Sequence, residues 1–209
     1  MSATVFLDKD GTLIQDVPYN VDPDQIRLAP FAGRALRTLA EHGHTVVIVS
    51  NQSGVARGYF PESALEAVRE RITTLCRGFG VDLAGFYYCP HHPEGSVADF
   101  AIECECRKPG DGLLRAAAAD LGVRLEESWM VGDILDDIEA GKRAGCRTVL
   151  IDNGNETEWR LPATRWPDAV VRNLDNAARL VVAGSLQTQP DRHPPQAPIA
   201  APVQLRASA

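Results

Sequence analysis

Two carboxylates near the N-terminus are the first side chains of the sequence that could perform chemistry. In "VFLDKDGTLI", Asp8 and Asp10 follow a short apolar run and precede Gly11. Residues two apart project to the same side of an extended chain, so both carboxylates would face one site at a cost in repulsion. A calcium loop is excluded, because a strand precedes the pair and the glycine comes too early. A solvated turn is the structural alternative.

The chemistry that suits this pair is phosphoryl transfer. Asp8 would attack a phosphorus atom and form an aspartyl-phosphate. Asp10 would protonate the leaving alcohol and then deprotonate the water that hydrolyses the intermediate. Two carboxylates and a phosphate need a cation between them, which predicts a Mg²⁺ ion on oxygen ligands.

Length and composition narrow the protein class. With 209 residues, 44% of them hydrophobic, the chain can bury one core. A net charge of −7 argues against non-specific nucleic-acid binding. Since neither a long apolar segment nor an export signal is found, we expect no membrane association and a cytoplasmic location. We predict one domain over residues 1–184 and a disordered Pro/Ala-rich tail over 185–209.

Short apolar runs alternate with amphipathic stretches along the chain, which is typical of a parallel sheet covered on both faces. The predicted strands are Thr4–Leu7, Thr45–Ser50, Gly85–Cys89, Ser128–Gly132, Arg147–Asp152 and Asp168–Val171. The predicted helices are Phe31–His42, Pro61–Phe79, Gly112–Leu121, Ile134–Ala144 and Leu174–Ala183. The fold class is therefore α/β, a doubly wound parallel sheet, and ligands should bind at the carboxyl ends of its strands.

Three of the five cysteines cluster with two histidines in one segment. Cys89-x-His91 and Cys104-x-Cys106 form two close pairs, and in a chain without an export signal this favours metal over disulfides. Three thiolates and an imidazole form a closed tetrahedral site, which predicts a structural Zn²⁺. We favour His91 over His92, because its spacing from Cys89 mirrors the second pair. Reactive cysteines are the alternative.

The zinc would staple an irregular loop directly before Arg107 and Lys108. Metal binding would then order these two cations toward the phosphate site. The remaining cysteines, Cys76 and Cys146, are predicted to be small core residues.

The segment from Asp8 to Thr12 resembles the first motif of the haloacid dehalogenase superfamily of phosphatases, Asp-x-Asp-Gly-Thr after the first strand. Later segments match its other motifs. The resemblance implies these roles: Asp8 as nucleophile, Asp10 as acid and base, Ser50 and Lys108 on phosphoryl oxygens, Asp133 completing the Mg²⁺ site of Asp8 and Asp10, and Asp137 in support.

The segments "FYYCPHHPEGS", "SNQSGVARG" and "CECRKP" are similar to a capless, zinc-containing branch of this superfamily. That branch comprises heptose-bisphosphate and histidinol-phosphate phosphatases, and the likeness is greater to the heptose enzymes. It implies hydrolysis of the 7-phosphate of a heptose 1,7-bisphosphate, without a cap domain. The implied substrate contacts are Asp16, Tyr19, Asn51, Gln52, Ser53 and Arg107.

Two alternatives stay open. Ile134 stands where the heptose enzymes often carry a lysine, so histidinol phosphate or another small phosphorylated metabolite is the second candidate substrate. A non-catalytic phosphoacceptor or zinc module is the third, although Asp10 favours turnover. An open site that no partner has to seal predicts a monomer.

Overall fold

The computed structural model describes residues 3–160 and 162–186. Six parallel strands form a sheet, and this sheet positions the candidate site. The strands are β1 (Thr4–Leu7), β2 (Thr45–Asn51), β3 (Gly85–Cys89), β4 (Trp129–Gly132), β5 (Arg147–Ile151) and β6 (Ala169–Val171). Their order is β3-β2-β1-β4-β5-β6. This order is that of a doubly wound sheet, so the predicted α/β class is confirmed.

Five helices connect the strands: α1 (Ala32–Glu41), α2 (Ala64–Arg77), α3 (Gly112–Leu121), α4 (Leu135–Ala144) and α5 (Leu174–Leu186). Helix α2 begins three residues later than predicted, because Pro61 opens a turn in which the Ala64 N–H donates to the Pro61 carbonyl. Helix α5 includes Ser185 and Leu186, the first two residues of the predicted tail. The rest of that tail lies outside the described residues.

Alternating side chains of the strands feed two cores on opposite faces of the sheet. Val5 and Leu7 of β1 face a cluster that also takes residues from α1, α2 and α5. Phe6 of β1 faces the other cluster, which includes Leu114 of α3 and Ala140 of α4. The central strands β1, β2, β4 and β5 are therefore buried on both faces, which is why their sequences are continuous apolar runs, whereas the edge strands β3 and β6 are only partly buried.

The order of the strands reverses beside β1, and this places the site. Strand β1 pairs with β2 on one side and with β4 on the other, all in parallel. The residues that follow β1, β2 and β4 therefore meet in the crevice at the switch point, where doubly wound folds bind ligands. The described connections from β1 to α1 and from β2 to α2 contain no further domain. No helix among the described residues is long and apolar enough to cross a membrane.

Candidate active site

A buried lysine links two of the carboxylates at the switch point. Lys108 donates from Nζ to Asp8 Oδ1 at 2.5 Å, to Asp137 Oδ1 at 2.6 Å and to the Val49 carbonyl at 3.1 Å. Burial opposes its charge, but attraction to Asp137 and Asp8 outweighs burial and raises the pKa of Lys108. The lysine is therefore a fixed positive charge against the side chain predicted to be the nucleophile.

Asp137 lies in the first turn of α4 and is completely buried. Burial raises the pKa of its carboxyl, although the neighbouring charge of Lys108 lowers it. A Cβ at Gly132 would lie 2.1 Å from Asp137 Oδ2, so a glycine is needed there for the carboxylate to pack against β4. Because Oδ1 of Asp137 already accepts from Lys108, its position is that of a support for the lysine.

Asp8, Asp133 and Asp137 place carboxylate oxygens within 4.8 Å of one another. Asp133 is buried, and burial followed by the charge of Asp8 raises its pKa to about 6. Its Oδ1 accepts from Thr12 Oγ1 at 3.1 Å, and its Oδ2 accepts from Asn155 Nδ2 at 2.6 Å. Three carboxylates facing one ammonium leave net negative charge, and hard oxygen donors of this kind fit a Mg²⁺ ion.

The structure does not bring the Asp10 carboxylate into this group. Its Oδ1 accepts from Lys9 Nζ at 2.7 Å, and its Oδ2 accepts from Gln52 Nε2 at 3.3 Å. Gln52 Nε2 also donates to Ser50 Oγ at 2.8 Å. Burial raises the pKa of Asp10, partly offset by the charge of Lys9. A carboxyl that keeps its proton more readily than usual is suited to acid–base work.

Two adjoining cavities open at this edge of the sheet. The smaller, about 220 Å³, is lined by Asp8, Asp10, Ser50, Lys108 and Asp133 among others. The larger, about 430 Å³, is lined by the predicted substrate contacts Asp16, Tyr19, Asn51, Gln52 and Ser53, together with Lys9. The two cavities share four lining residues: Asp10, Asp16, Asn51 and Ile134. The small cavity that contains Asp8 and Lys108 therefore lies directly beside a space large enough for a substrate.

Tyr19 borders the larger cavity in a conformation that tyrosines rarely adopt. Its φ is +57°, in the left-handed region. Its ring packs edge-to-face on Tyr59, with the centroids 4.6 Å apart, and both rings are half exposed. Backbone strain of this kind persists only where the surroundings enforce it, and it is common at ligand sites.

Asn51 joins the end of β2 to the main chain of Lys108. Its Oδ1 accepts from the Lys108 N–H, and its Nδ2 donates to the Lys108 carbonyl, both at 3.0 Å. The side chain predicted to touch substrate is therefore already engaged at both ends. In this structure it positions the main chain of Lys108.

The four predicted zinc ligands come together. Neighbouring donor atoms of Cys89, His91, Cys104 and Cys106 lie 3.1–3.6 Å apart. All four donors lie within 4.8 Å of one another, so a single ion could contact each of them. Three thiols and an imidazole match the donor set of closed zinc sites.

His92 is engaged elsewhere. Its Nδ1 accepts from the Glu94 N–H at 3.1 Å, and its Nε2 lies 3.0 Å from Arg57 Nη2. Burial and the charges of Arg107 and Arg57 lower its pKa. Arg107 itself donates to the His91 carbonyl at 3.4 Å. Neither arginine forms an ion pair within the part of the chain that the structure describes, and the charge of Glu94 only partly offsets their effect on the pKa of His92.

Several side chains at the site were not predicted from the sequence. Lys9 stands between the two aspartates, and that position alone could have drawn attention to it. Asn155 follows β5 and reaches the same edge of the sheet, which the strand-end rule could have indicated. Arg57 and Tyr59 lie in an irregular segment after β2, and nothing in their spacing distinguishes them.

Several known proteins are similar to this chain in sequence and in fold. A family model described as HAD-hydrolase-like matches residues 105–177. The D-glycero-beta-D-manno-heptose-1,7-bisphosphate 7-phosphatase of Haemophilus ducreyi is 43% identical over 152 residues, covering 72% of this chain and 83% of that protein.

Two solved structures share the fold over most of their length. A Mesorhizobium loti protein assigned to the HAD-like phosphatases has a TM-score of 0.76 and 36% identity, covering 91% of this chain and 90% of that one. The D,D-heptose 1,7-bisphosphate phosphatase of B. bronchiseptica, complexed with magnesium and phosphate, has a TM-score of 0.71 and 29% identity, covering 87% and 99%. The chain is thus a phosphatase of the haloacid dehalogenase type and belongs to the family of the D-glycero-β-D-manno-heptose-1,7-bisphosphate 7-phosphatases.

Proposed function

We propose that this phosphatase removes the 7-phosphate of D-glycero-β-D-manno-heptose 1,7-bisphosphate in a Mg²⁺-dependent reaction. The observation that carries the proposal is the small cavity where Asp8, Asp10, Ser50 and Lys108 meet, open to a larger cavity that can take a sugar. The names of the relatives supply the substrate.

In the first half-reaction, Asp8 attacks the phosphorus atom. Lys108 holds Oδ1 of Asp8, which leaves Oδ2 to form the new bond. The bond between phosphorus and the sugar oxygen breaks, and Asp10 gives its proton to that oxygen. Ser50 Oγ would donate to a phosphoryl oxygen, and the adjacent positive charge of Lys108, whose three donors are already engaged, would offset the negative charge that develops there.

In the second half-reaction, Asp10 is a carboxylate and removes a proton from a water molecule. The water oxygen attacks phosphorus, the bond to Asp8 breaks, and inorganic phosphate leaves. A protein that only stored a phosphoryl group would not need this second carboxylate. The pKa of Asp10 is raised, and Lys9 and Gln52 fix the position of its carboxylate. Both features favour a catalytic role for this protein over the non-catalytic alternative.

Asp8 and Asp133 are the carboxylates that would hold Mg²⁺, because both oxygens of Asp137 are engaged, Oδ1 by Lys108 and Oδ2 by the Ile134 N–H. The carboxylate of Asp10, which the sequence predicted as a third ligand, is engaged by Lys9 and Gln52 and is not among these donors. A bound Mg²⁺ would offset the repulsion between these carboxylates and the phosphate and would polarise the phosphoryl oxygens.

The cysteine–histidine cluster would hold a structural Zn²⁺ through Cys89, His91, Cys104 and Cys106. No helix or strand occurs between β3 and α3, so the chain there needs another source of rigidity. Lys108 follows the last ligand by two residues. The ion would therefore fix the approach of Arg107 and Lys108 to the phosphate site.

Charge favours the bisphosphate over histidinol phosphate. Arg107 and Arg57 line neither of the two cavities, but as charges without an ion pair among the described residues they would attract a second phosphate, whereas histidinol phosphate brings a cationic amine. One observation favours histidinol phosphate instead. Ile134 lines both cavities but supplies no positive charge, where the heptose enzymes often have a lysine. Lys9 lines the larger cavity beside Ile134 and could provide a positive contact there.

A phosphate-release assay with Mg²⁺ tests the substrate. The protein receives the β-anomer and the α-anomer of the heptose bisphosphate and histidinol phosphate, with the Asp8→Asn variant as a blank. We expect the highest kcat/KM on the β-anomer. Equal, low rates on all three esters would overturn the heptose assignment, and a faster rate on histidinol phosphate would replace it.

A monomeric, cytoplasmic enzyme without nucleic-acid or membrane partners goes with this function and stays a prediction. Light scattering after size-exclusion chromatography measures the oligomeric state directly, and a dimer mass would contradict the predicted monomer.

A further inference from the structure

A segment outside the recognised motifs crosses the metal side of the site. After β5 the chain reads Asn153-Gly-Asn-Glu156, with φ of +95° at Gly154. We name residues 153–156 the asparagine strap. Its side chains reach three points of the site: Asn153 Nδ2 donates to the Gly11 carbonyl at 2.8 Å, Asn155 Nδ2 donates to Asp133 Oδ2 at 2.6 Å, and Glu156 Oε2 accepts from the Leu135 N–H at 2.6 Å.

We propose that Asn155 is a positioning residue for the magnesium ligand Asp133, an inference that rests on the Mg²⁺ site of the proposed function. Asn155 holds Oδ2 of Asp133, while Thr12 holds Oδ1 at 3.1 Å. Both oxygens thus accept from neutral donors, which leave the negative charge of the carboxylate for a metal. The two donors together fix the rotation of the carboxylate, as outer hydrogen bonds do for metal ligands in general.

Close packing at Gly11 supports this assignment. A Cβ at that position would lie 2.1 Å from Asp133 Oδ2 and 2.4 Å from Asn155 Nδ2. The φ of Gly11 is +77°, in the left-handed region. The loop that carries Asp8 is therefore shaped to admit the contact between Asp133 and Asn155.

The strap is anchored on both sides of Asn155. The Asn155 N–H donates to Asn153 Oδ1 at 3.1 Å, which closes a local turn. Glu156 accepts from the first N–H of α4, a helix whose N-cap residue, Ile134, carries no acceptor in its side chain. Since α4 begins two residues after Asp133, the anchor and the Asn155 contact restrain neighbouring parts of the same turn.

Magnesium affinity measured directly tests the proposal without relying on turnover. Mg²⁺ is titrated calorimetrically into the full-length protein after dialysis against Mg²⁺-free buffer without a strong chelator, so that the zinc loop stays intact. Asn155→Ala is compared with Thr157→Ala, an exposed neighbour with no side-chain hydrogen bond among the described contacts. We expect Asn155→Ala to bind Mg²⁺ about 10-fold more weakly. Thr157→Ala should match the wild type.

Melting temperatures with and without Mg²⁺ distinguish a role of Asn155 in positioning Asp133 from a role in stabilising the fold. We expect Asn155→Ala to melt like the wild type without Mg²⁺ and to gain less on adding it, because weaker binding stabilises less. Glu156→Ala, which loosens the anchor, should show a smaller loss of affinity. Equal Mg²⁺ affinity in Asn155→Ala and Thr157→Ala overturns the proposal. Undetectable Mg²⁺ binding by the wild type overturns it together with the metal site, whereas inactivity on the heptose bisphosphate alone overturns only the substrate.

Discussion

The strand-end edge of the sheet and the cysteine–histidine loop serve one reaction but are fixed by different forces. Asp8 and Asp133 follow strands that are buried on both faces, so the hydrophobic core sets their positions. The loop between β3 and α3 has neither helix nor strand, and its four donors provide what rigidity it has. Lys108 belongs to the loop yet contacts Asp8 on the edge. The catalytic geometry should therefore fail in two distinguishable ways.

The largest effect is expected on the sheet edge, from Asp8→Asn. The amide cannot act as the nucleophile, so turnover should fall by at least about 1,000-fold. Lys108 keeps Asp137 as its partner, so the fold should persist. Phosphate release, zinc content and the melting temperature are the measurements. Turnover within about 10-fold of the wild type would contradict the nucleophile assignment.

In the loop, Cys104→Ala should abolish zinc binding and lower turnover by roughly 10- to 100-fold. The reason is that Arg107 and Lys108 would lose a fixed approach, while Asp8 and Asp133 stay in place. Zinc content, phosphate release and Mg²⁺ affinity separate the two regions, since only the last should be unchanged. A zinc-free variant with full turnover would show that the sheet edge alone suffices.

Asn51 lies on the boundary between the two regions, and Asn51→Ala tests how they are coupled. The substitution removes two hydrogen bonds to the Lys108 main chain, each worth about 1 kcal/mol, so we expect a loss in kcat of up to about 30-fold. Zinc should remain bound. Asn176→Ala, an exposed change on α5, is the matched control. Equal kcat in Asn51→Ala and Asn176→Ala would show that Asn51 does not couple the loop to the sheet edge.

The difference between the sheet edge and the cysteine–histidine loop also explains which features could be predicted from the sequence. Every strand was predicted to within one residue, because each is a short apolar run that stands out between helical patterns, most clearly where the strand is buried on both faces. The choice of His91 over His92 followed from spacing, since few arrangements of thiols and imidazoles can surround one ion. Both kinds of prediction depend on patterns that are local in the chain.

Contacts between segments that are far apart in the chain could not be predicted from such local patterns. Asn153 meets Gly11 across 142 positions, and Asn155 meets Asp133 from a different strand end. Polar residues of an exposed strap have no periodicity to reveal their partners. Lys9 was visible beside the aspartates, but its contact with Asp10 depends on side-chain rotamers that the spacing does not determine.

The smallest effect is expected from Cys76→Ala, which compares one residue type in two environments. Cys76 is fully buried in α2, and burial raises the pKa of its thiol to about 12, so it stays protonated and binds metal poorly. Losing one buried sulfur should lower the free energy of unfolding by about 1 kcal/mol, measured by urea titration. Zinc content and turnover should not change, in contrast to Cys104→Ala. If Cys76→Ala lost zinc, the core and the loop would be mechanically linked, and the division between the two regions would be wrong.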